Sequence, residues 1–187
     1  MSAMREAIFM SGRGGQGVLL AGQILSQAAM QAGLEVSWYP VYDPEVRGGR
    51  TTCMVVIADG PVGSPVAGRY SAAALMDEIA VERHLHEVAA EGVAIFNSSL
   101  AQAPPHDPRR LVALPATEMA EALGDERTTN MVMLGALAAA TGVLTVAQLG
   151  AALPQVLSQR YHQLIPLNLQ AMAAGWAAAA AQITEAS

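Results

Sequence analysis

The chain contains no lysine: all ten basic residues are arginines, set against sixteen acidic ones, for a formal net charge of −6. A P-loop lysine, a Schiff-base lysine and a pyridoxal phosphate anchor are therefore excluded. The acidic balance argues against nucleic acid as the main partner, because phosphate backbones call for a basic face. There is one cysteine, Cys53, which excludes a disulfide within the chain and any four-thiolate iron–sulfur or zinc site. The four histidines, His84, His86, His106 and His162, do not fall at a zinc spacing together. Aromatics make up only 4% of the chain, so the core must be built from Ala, Val, Leu, Ile and Met. Apolar residues are plentiful, at 52% of 187 residues, enough to bury a core and to exclude disorder by low hydrophobicity. Length alone predicts a single domain over residues 1–187. The opening Met1–Glu6 has no basic segment ahead of an apolar run, unlike a signal peptide. The stretch from Leu164 to Ile183 is interrupted by Pro166, Asn168, Gln170 and Gln182, and most of the rest is alanine. It is a poor membrane span, and the expectation is a soluble, cytoplasmic protein.

The pattern along the chain predicts an α/β sandwich of three layers on a mostly parallel sheet, with a Rossmann-like start and a helix-rich C-terminal third. Ala7–Ser11 reads as a strand running into a glycine cluster. A helix follows with Val18, Ala21, Ile24, Leu25, Ala28 and Ala29 on one face, ended by Gly33. Val36–Tyr39 reads as a second strand closed by Pro40. Thr51–Ile57 is rich in β-branched residues and is the strongest strand signal. A helix is expected from Asp77 to Glu91, a strand over Val93–Phe96, another over Leu111–Leu114 and a short helix near Thr117. Beyond Thr129 the chain reads as helical, broken at Gly142, Pro154 and Pro166.

Two loops carry the chemistry. Gly12-Arg13-Gly14-Gly15-Gln16-Gly17 satisfies G-x-G-x-x-G between a strand and a helix, where backbone N–H groups and the positive helix end can hold an anion. The alternative is a tight turn whose glycines serve packing alone. An ordinary dinucleotide site needs an acid at the far end of the second strand. That strand ends Trp38-Tyr39-Pro40, and Glu35 stands at its beginning, so NAD is disfavoured. The second loop, Tyr42-Asp43-Pro44-Glu45-Val46-Arg47-Gly48-Gly49-Arg50, follows the second strand toward the same sheet edge. Arg13, Arg47 and Arg50 could converge there on a polyanion, since a guanidinium fork pairs with phosphate on two oxygens. Alternatively Arg47 pairs with Glu45 or Asp43 and only orders the loop. Asn97-Ser98-Ser99 ends a strand at this edge and offers ligand contacts or a turn cap. Asn130 opens a helix as a cap or a ligand contact.

These residues resemble a known family. Gly12-x-Gly-Gly-Gln-Gly-Val18, Ala21-Gly22 and Tyr42-x-Pro-Glu-x-Arg-Gly-Gly49 are similar to the gamma subunit of 2-oxoacid:ferredoxin oxidoreductases. Further matches follow in order: Asp59-x-Pro61-x-x-Ser-Pro65, Asn97-Ser-Ser99, Pro115-Ala-Thr-Glu118, Asn130-Met-Val-Met-Leu-Gly135 and Asn168-Leu-x-Ala171. The Pro-Glu-Val-Arg-Gly-Gly form looks most like the 2-oxoglutarate synthase type, with pyruvate, ketoisovalerate and indolepyruvate enzymes as relatives.

The resemblance implies a multi-subunit oxidoreductase that decarboxylates a 2-oxoacid, forms acyl-coenzyme A and reduces ferredoxin. It implies alpha and beta partner subunits, with or without a ferredoxin-like delta subunit. Thiamine diphosphate, magnesium and [4Fe-4S] clusters would be held by those partners, and this chain would contribute to coenzyme A binding and active-site assembly, silent when alone. The residues implied for coenzyme A are Gly12, Arg13, Gly14, Gly15, Gln16, Gly17, Arg47, Gly48, Gly49, Arg50, Asn97, Ser98 and Asn130, with no catalytic residue and no metal ligand. The rivals are a stand-alone nucleotide-binding regulatory module and a purely structural subunit whose glycine loop packs on a partner.

Overall fold

The computed structural model describes residues 4–42, 49–64, 66–104 and 107–185. Six strands form one sheet: β1 (Arg5–Arg13), β2 (Glu35–Tyr42), β3 (Arg50–Ala58), β4 (Tyr70–Leu75), β5 (Val88–Asn97) and β6 (Arg110–Leu114). Their order is β2-β3-β1-β4-β5-β6. β1, β4, β5 and β6 pair in parallel. β3 is antiparallel to both β1 and β2, so β2 runs in the direction of β1 with β3 inserted between them. The crossover from β1 to β2 thus skips one position. The expected opening unit is present, but its two strands are not neighbours.

Among the described residues six α-helices accompany the sheet: α1 (Val18–Gln31), α2 (Glu78–His84), α3 (Ala116–Ala122), α4 (Thr129–Thr141), α5 (Val146–Val156) and α6 (Ile165–Glu185). Side-chain alternation along the strands decides which layer each residue feeds. Ile8, Met10, Cys53, Val55, Ile57, Ala72, Ala74 and Ile95 face the larger cluster, shared with α1, α3, α4, α5 and α6. Ala7, Phe9, Val56, Ala73, Leu75, Ala94 and Phe96 face a smaller one, closed by Ala80 and Val81 of α2 and by Leu85. The sandwich is therefore lopsided, with one thick helical layer and one thin one. Every residue expected on the buried face of α1 is buried.

Several boundaries differ from the sequence reading. The helix expected to reach Glu91 stops at His84, and a 3-10 turn over Leu85–Glu87 leads directly into β5. The strand accordingly begins at Val88, before Gly92. A Cβ on Gly92 would lie 2.8 Å from the Ser71 carbonyl oxygen, which explains a glycine inside a strand rather than at a helix end. β2 runs through Pro40 to Tyr42, tolerated because β2 is an edge strand with no ladder on its outer side. Pro154 lies inside α5 and Pro166 in the first turn of α6. α6 belongs to a helical segment, Gln159–Glu185, long and apolar enough by length and composition to cross a membrane. Here Ala171, Met172 and Gly175 are buried, with α6 packed on α4.

Candidate functional site

The polypeptide reverses its direction of winding between β1 and β4. β1 leads by α1 to one side of the sheet order, and β4 leads by α2 to the other. Such a switch point opens a crevice beyond the carboxyl ends of the strands, where ligands bind in α/β proteins. A cleft of about 420 Å3 occupies that place. Arg13, Gly14, Gly15 and Gln16 of the glycine loop line it together with Met76, Leu100, Thr117, Glu126, Arg127 and Thr129.

The glycine loop is held by its own hydrogen bonds. The Arg13 amide donates to Gln16 Oε1 at 2.6 Å. The Gly14 amide donates to the Gly49 carbonyl at 2.9 Å, and the Gln16 amide to the Arg13 carbonyl at 3.1 Å. Gly12 lies within β1 opposite Thr51, and a Cβ there would meet Gln16 Oε1 at 2.6 Å. Of the four glycines expected to donate to an anion, Gly14 is thus engaged in the fold and Gly12 belongs to the ladder. Gly15 and Gly17 keep N–H groups with no acceptor among the described residues. Gly15 has φ +95°, and nothing stands within 4 Å of the Cβ it lacks. This is the point where another molecule can come against bare backbone.

Two helices present their amino ends here. α1 follows Gly17 without a side-chain cap, whereas α4 continues from a 3-10 turn over Glu126–Thr128 that Asp125 caps by accepting from the Arg127 amide, and the Thr128 and Thr129 amides donate to the Asp125 and Glu126 carbonyls. Uncapped first-turn N–H groups carry partial positive charge and seek an acceptor. The Arg13 side chain is exposed beside them, without an ion pair among the described residues. Arg127 is engaged with Asp125 at 2.6 Å, which raises the pKa of the guanidinium and lowers that of the carboxyl through direct hydrogen bonds. Glu126 also reaches the cleft, so its charge is mixed rather than uniformly basic.

Other expected ligand residues are placed differently. Arg50 is only 7% exposed, and its guanidinium grips Asp77 on two oxygens at 2.8 and 3.1 Å. Asp77 in turn caps α2 by accepting from the Ala80 amide. Arg50 is therefore a structural clasp between β3 and α2, not a cation held for a ligand. Asn97 is fully buried. Its Oδ1 accepts from the Ser99, Ala116 and Thr117 amides, and its Nδ2 donates to Thr117 Oγ1 and the Met76 carbonyl. That leaves no capacity for a ligand, and the turn-cap alternative holds. Ser98 is exposed outside the cleft walls. Asn130 lies behind the loop, donating to the Gly17 carbonyl at 3.2 Å. Gly49 joins the two loops through its carbonyl. Arg47 and Gly48 lie outside the described residues.

Sequence reasoning did not single out Met76, Leu100, Glu126, Arg127 or Thr129. The available signal was positional: Met76 and Leu100 follow strands, Glu126 and Arg127 precede α4, and Thr129 opens it. Among the described residues, no three His, Cys, Asp or Glu side chains come together as a metal-binding group.

Comparison with known proteins gives a consistent result. The family described as pyruvate ferredoxin/flavodoxin oxidoreductase matches residues 7–178. The chain is 34% identical, over 76% of its length and 81% of the relative's, to 2-oxoglutarate synthase subunit KorC of Methanothermobacter marburgensis. It is 38% identical over 69% of its length to ketoisovalerate oxidoreductase subunit VorA of Methanothermobacter thermautotrophicus. There the chain spans only 27% of the relative. The crystal structure of the gamma subunit of a keto/oxoacid ferredoxin oxidoreductase from Geobacter sulfurreducens superposes with a TM-score of 0.83. It is 30% identical, with 96% of this chain and 99% of that one covered. A 2-oxoglutarate:ferredoxin oxidoreductase from Magnetococcus marinus, solved with 2-oxoglutarate, coenzyme A and succinyl-CoA bound, shares the fold. Its TM-score is also 0.83, at 20% identity and over 31% of that chain.

Proposed function

This chain belongs to the pyruvate ferredoxin/flavodoxin oxidoreductase family as a gamma-type subunit, and we propose that its switch-point cleft receives the phosphates of coenzyme A in an assembled enzyme. The observation that carries this reading is the convergence on one cleft of the uncapped amino end of α1 and the bare Gly15 backbone. Backbone N–H groups at a helix start stabilise phosphate without a lysine. Arg13 adds an exposed cation from the rim. Arg47 is a further phosphate partner on sequence grounds. Thiamine diphosphate supplies the decarboxylation chemistry when bound in partner subunits, and a chain with one cysteine leaves cluster ligation to them as well. In the complete enzyme this chain fixes the acyl acceptor by its anionic end and holds it against an exposed part of the loop.

The favoured oxoacid is 2-oxoglutarate, because the KorC relatives match this chain over most of their own length. The higher identity of the VorA relatives favours 2-ketoisovalerate as the second reading. The assembled enzyme, located in the cytoplasm, tests both readings. Gly15→Val forces a branched residue into a left-handed backbone at the open point of the cleft. It should raise the KM for coenzyme A by about tenfold or more, the loss of one to two charge-assisted contacts. Arg13→Ala, at an exposed site, should raise it by less. Cluster reduction by the 2-oxoacid without coenzyme A should stay near normal in both variants. Unchanged coenzyme A dependence together with loss of subunit assembly would make the loop an interface element instead. Comparing kcat/KM for 2-oxoglutarate, 2-ketoisovalerate and pyruvate in the same preparation decides the oxoacid.

A further inference from the structure

Charge is divided unevenly between the two sides of the sheet. From Gly14 to Leu34 and from Thr128 to Thr184 the only arginine or acidic residue is Arg160, and Glu185 follows at the end of α6. These segments hold α1, α4, α5 and α6, the bulk of the thick helical layer. The other nine arginines and fifteen acidic residues lie elsewhere and carry the whole net charge of −6. Because α4 is buried over Asn130–Ala138, the outer surface of the layer is made by α1, α5 and α6. It is continuous: Gln27 Nε2 of α1 donates to Gln155 Oε1 of α5 at 3.1 Å, and Gly150 of α5 leaves no room for a Cβ against Leu169 of α6. A groove of about 400 Å3 between α1, the end of α5 and β2 is lined by Gln23, Met30, Val36, Trp38 and Val156 among others, none of them charged. Met30 is 60% exposed and Tyr161 42%. Depletion of charge together with exposed methionine and tyrosine is the composition of an interface core.

Charge also decides what covers this face. Every other side of the molecule shares the net −6 and repels its own copy, whereas Arg160 and Glu185 cancel here, so two copies meet on this face without repulsion. Arg160 stands ahead of α6 and Glu185 at its far end, both exposed and without an ion pair among the described residues. The contact recorded for Arg160 is with the Tyr161 ring, at 4.7 Å. A cation at the amino end and an anion at the carboxyl end are the reverse of what the α6 dipole favours. A second α6 laid antiparallel across a two-fold axis corrects this, because it sets each Arg160 beside the Glu185 of the other copy. At about 1.5 Å per residue and ~10 Å across, the three helices give a footprint of roughly 700 Å2, near the ~800 Å2 each partner contributes to a stable interface. A lipid surface is disfavoured, since helices that lie on membranes present several basic residues and this face has one.

We propose that the outer faces of α1, α5 and α6 form a two-fold interface between two copies of this chain, with the two α6 helices antiparallel and Arg160 of each facing Glu185 of the other. The same patch serves both copies, as an isologous contact requires. The inference is independent of what the front cleft binds.

The test is sedimentation velocity on the full chain from about 1 to about 100 μM, where the species expected has twice the 19.4 kDa mass of one chain. Gln148→Glu combined with Gln170→Glu keeps the shape of two exposed side chains and brings like charges together, which should weaken the dimer about tenfold or more. Gln102→Glu, beside Val81 and Leu85 on the thin side of the sheet, should leave it unchanged. Arg160→Glu and Glu185→Arg should each weaken it about fivefold, and the two together should restore it. Circular dichroism confirms that each variant is folded. The proposal is overturned if the chain stays monomeric over the whole range, if the paired glutamates leave the dimer as it was, or if the charge swap restores nothing. It also falls if the partner subunits take up a single copy of this chain in a complex that the paired glutamates prevent, which would give the face to a partner. Flotation with phosphatidylcholine vesicles, abolished by the same variant, would give it to a membrane instead and equally overturn the proposal.

Discussion

Cys53 shows how far one residue's chemistry follows from its surroundings. It is fully buried in β3, its thiol donating to the Val18 carbonyl at 3.8 Å beside the Trp38 indole. Burial pushes its pKa up from an ordinary value near 9 to about 12. The thiolate is the reactive form, so the folded protein should be inert to Ellman's reagent at pH 8. Modification should proceed only as fast as the chain opens, on the order of a thousandfold slower than in denaturant. Fast labelling of the native protein would show that β3 is not closed in between β1 and β2. The linkage has a definite sign: the unfolded thiol ionises from about pH 9 while the folded one keeps its proton to about pH 12. Stability should therefore fall across that window, and Cys53→Ala should flatten the fall in urea midpoints measured from pH 8 to 11. The burial of Cys53 was legible in the sequence because it sits in a β-branched run. The roles of Arg50 and Asn97 were not. Their partners lie 27 and about 20 residues away, and residue type at the carboxyl edge does not say whether a side chain is already engaged.

Among the elements, the crossing of α4 and α6 is the tightest. A Cβ on Gly135 would lie 1.9 Å from the Met172 carbonyl oxygen, and one on Gly175 would lie 1.9 Å from the Val132 carbonyl oxygen. Each helix thus offers a glycine to the other's backbone, and the two axes can approach closer than side chains would allow. Overpacking a well-filled site costs ~1–3 kcal/mol, and more where backbone must move. Gly135→Ala and Gly175→Ala should each destabilise by about 3 kcal/mol or more in chemical denaturation. A loss below about 1 kcal/mol in either would show that the helices separate at little cost. The alanine-rich ending already pointed to close helix packing, but not to which glycines meet. Strand direction was equally hidden: alternation along β3 buries Cys53, Val55 and Ile57 in one layer and Val56 in the other whether the strand runs up or down. Only the pairing with β1 and β2 reveals it as antiparallel. The strand start at Val88 was missed because an apolar run after a short helix carries the same composition as more helix.

For the whole molecule, the inserted β3 leaves the functional edge intact. β1, β2 and β4 still point the same way, so the loops after them share one side of the sheet, and the glycine motif could be assigned to a ligand edge before the strand order was known. What this architecture lacks is equally definite. The sequence holds a single cysteine and no Gly-Asp-Gly run with a downstream Asn-Asn, the resemblance's mark of a thiamine diphosphate site. The described residues form no metal-binding cluster. Electron transfer to ferredoxin needs clusters, and each [4Fe-4S] centre needs about four thiolates. The purified chain should accordingly show no 2-oxoacid-dependent reduction of methyl viologen, with or without added thiamine diphosphate, magnesium and coenzyme A. Activity should appear only when the partner subunits are added back, saturating with their concentration as an assembly does. Turnover by the isolated chain, after mass spectrometry has shown the preparation free of partners, would place the redox chemistry in this fold and overturn the proposal that it serves as a coenzyme A-holding subunit.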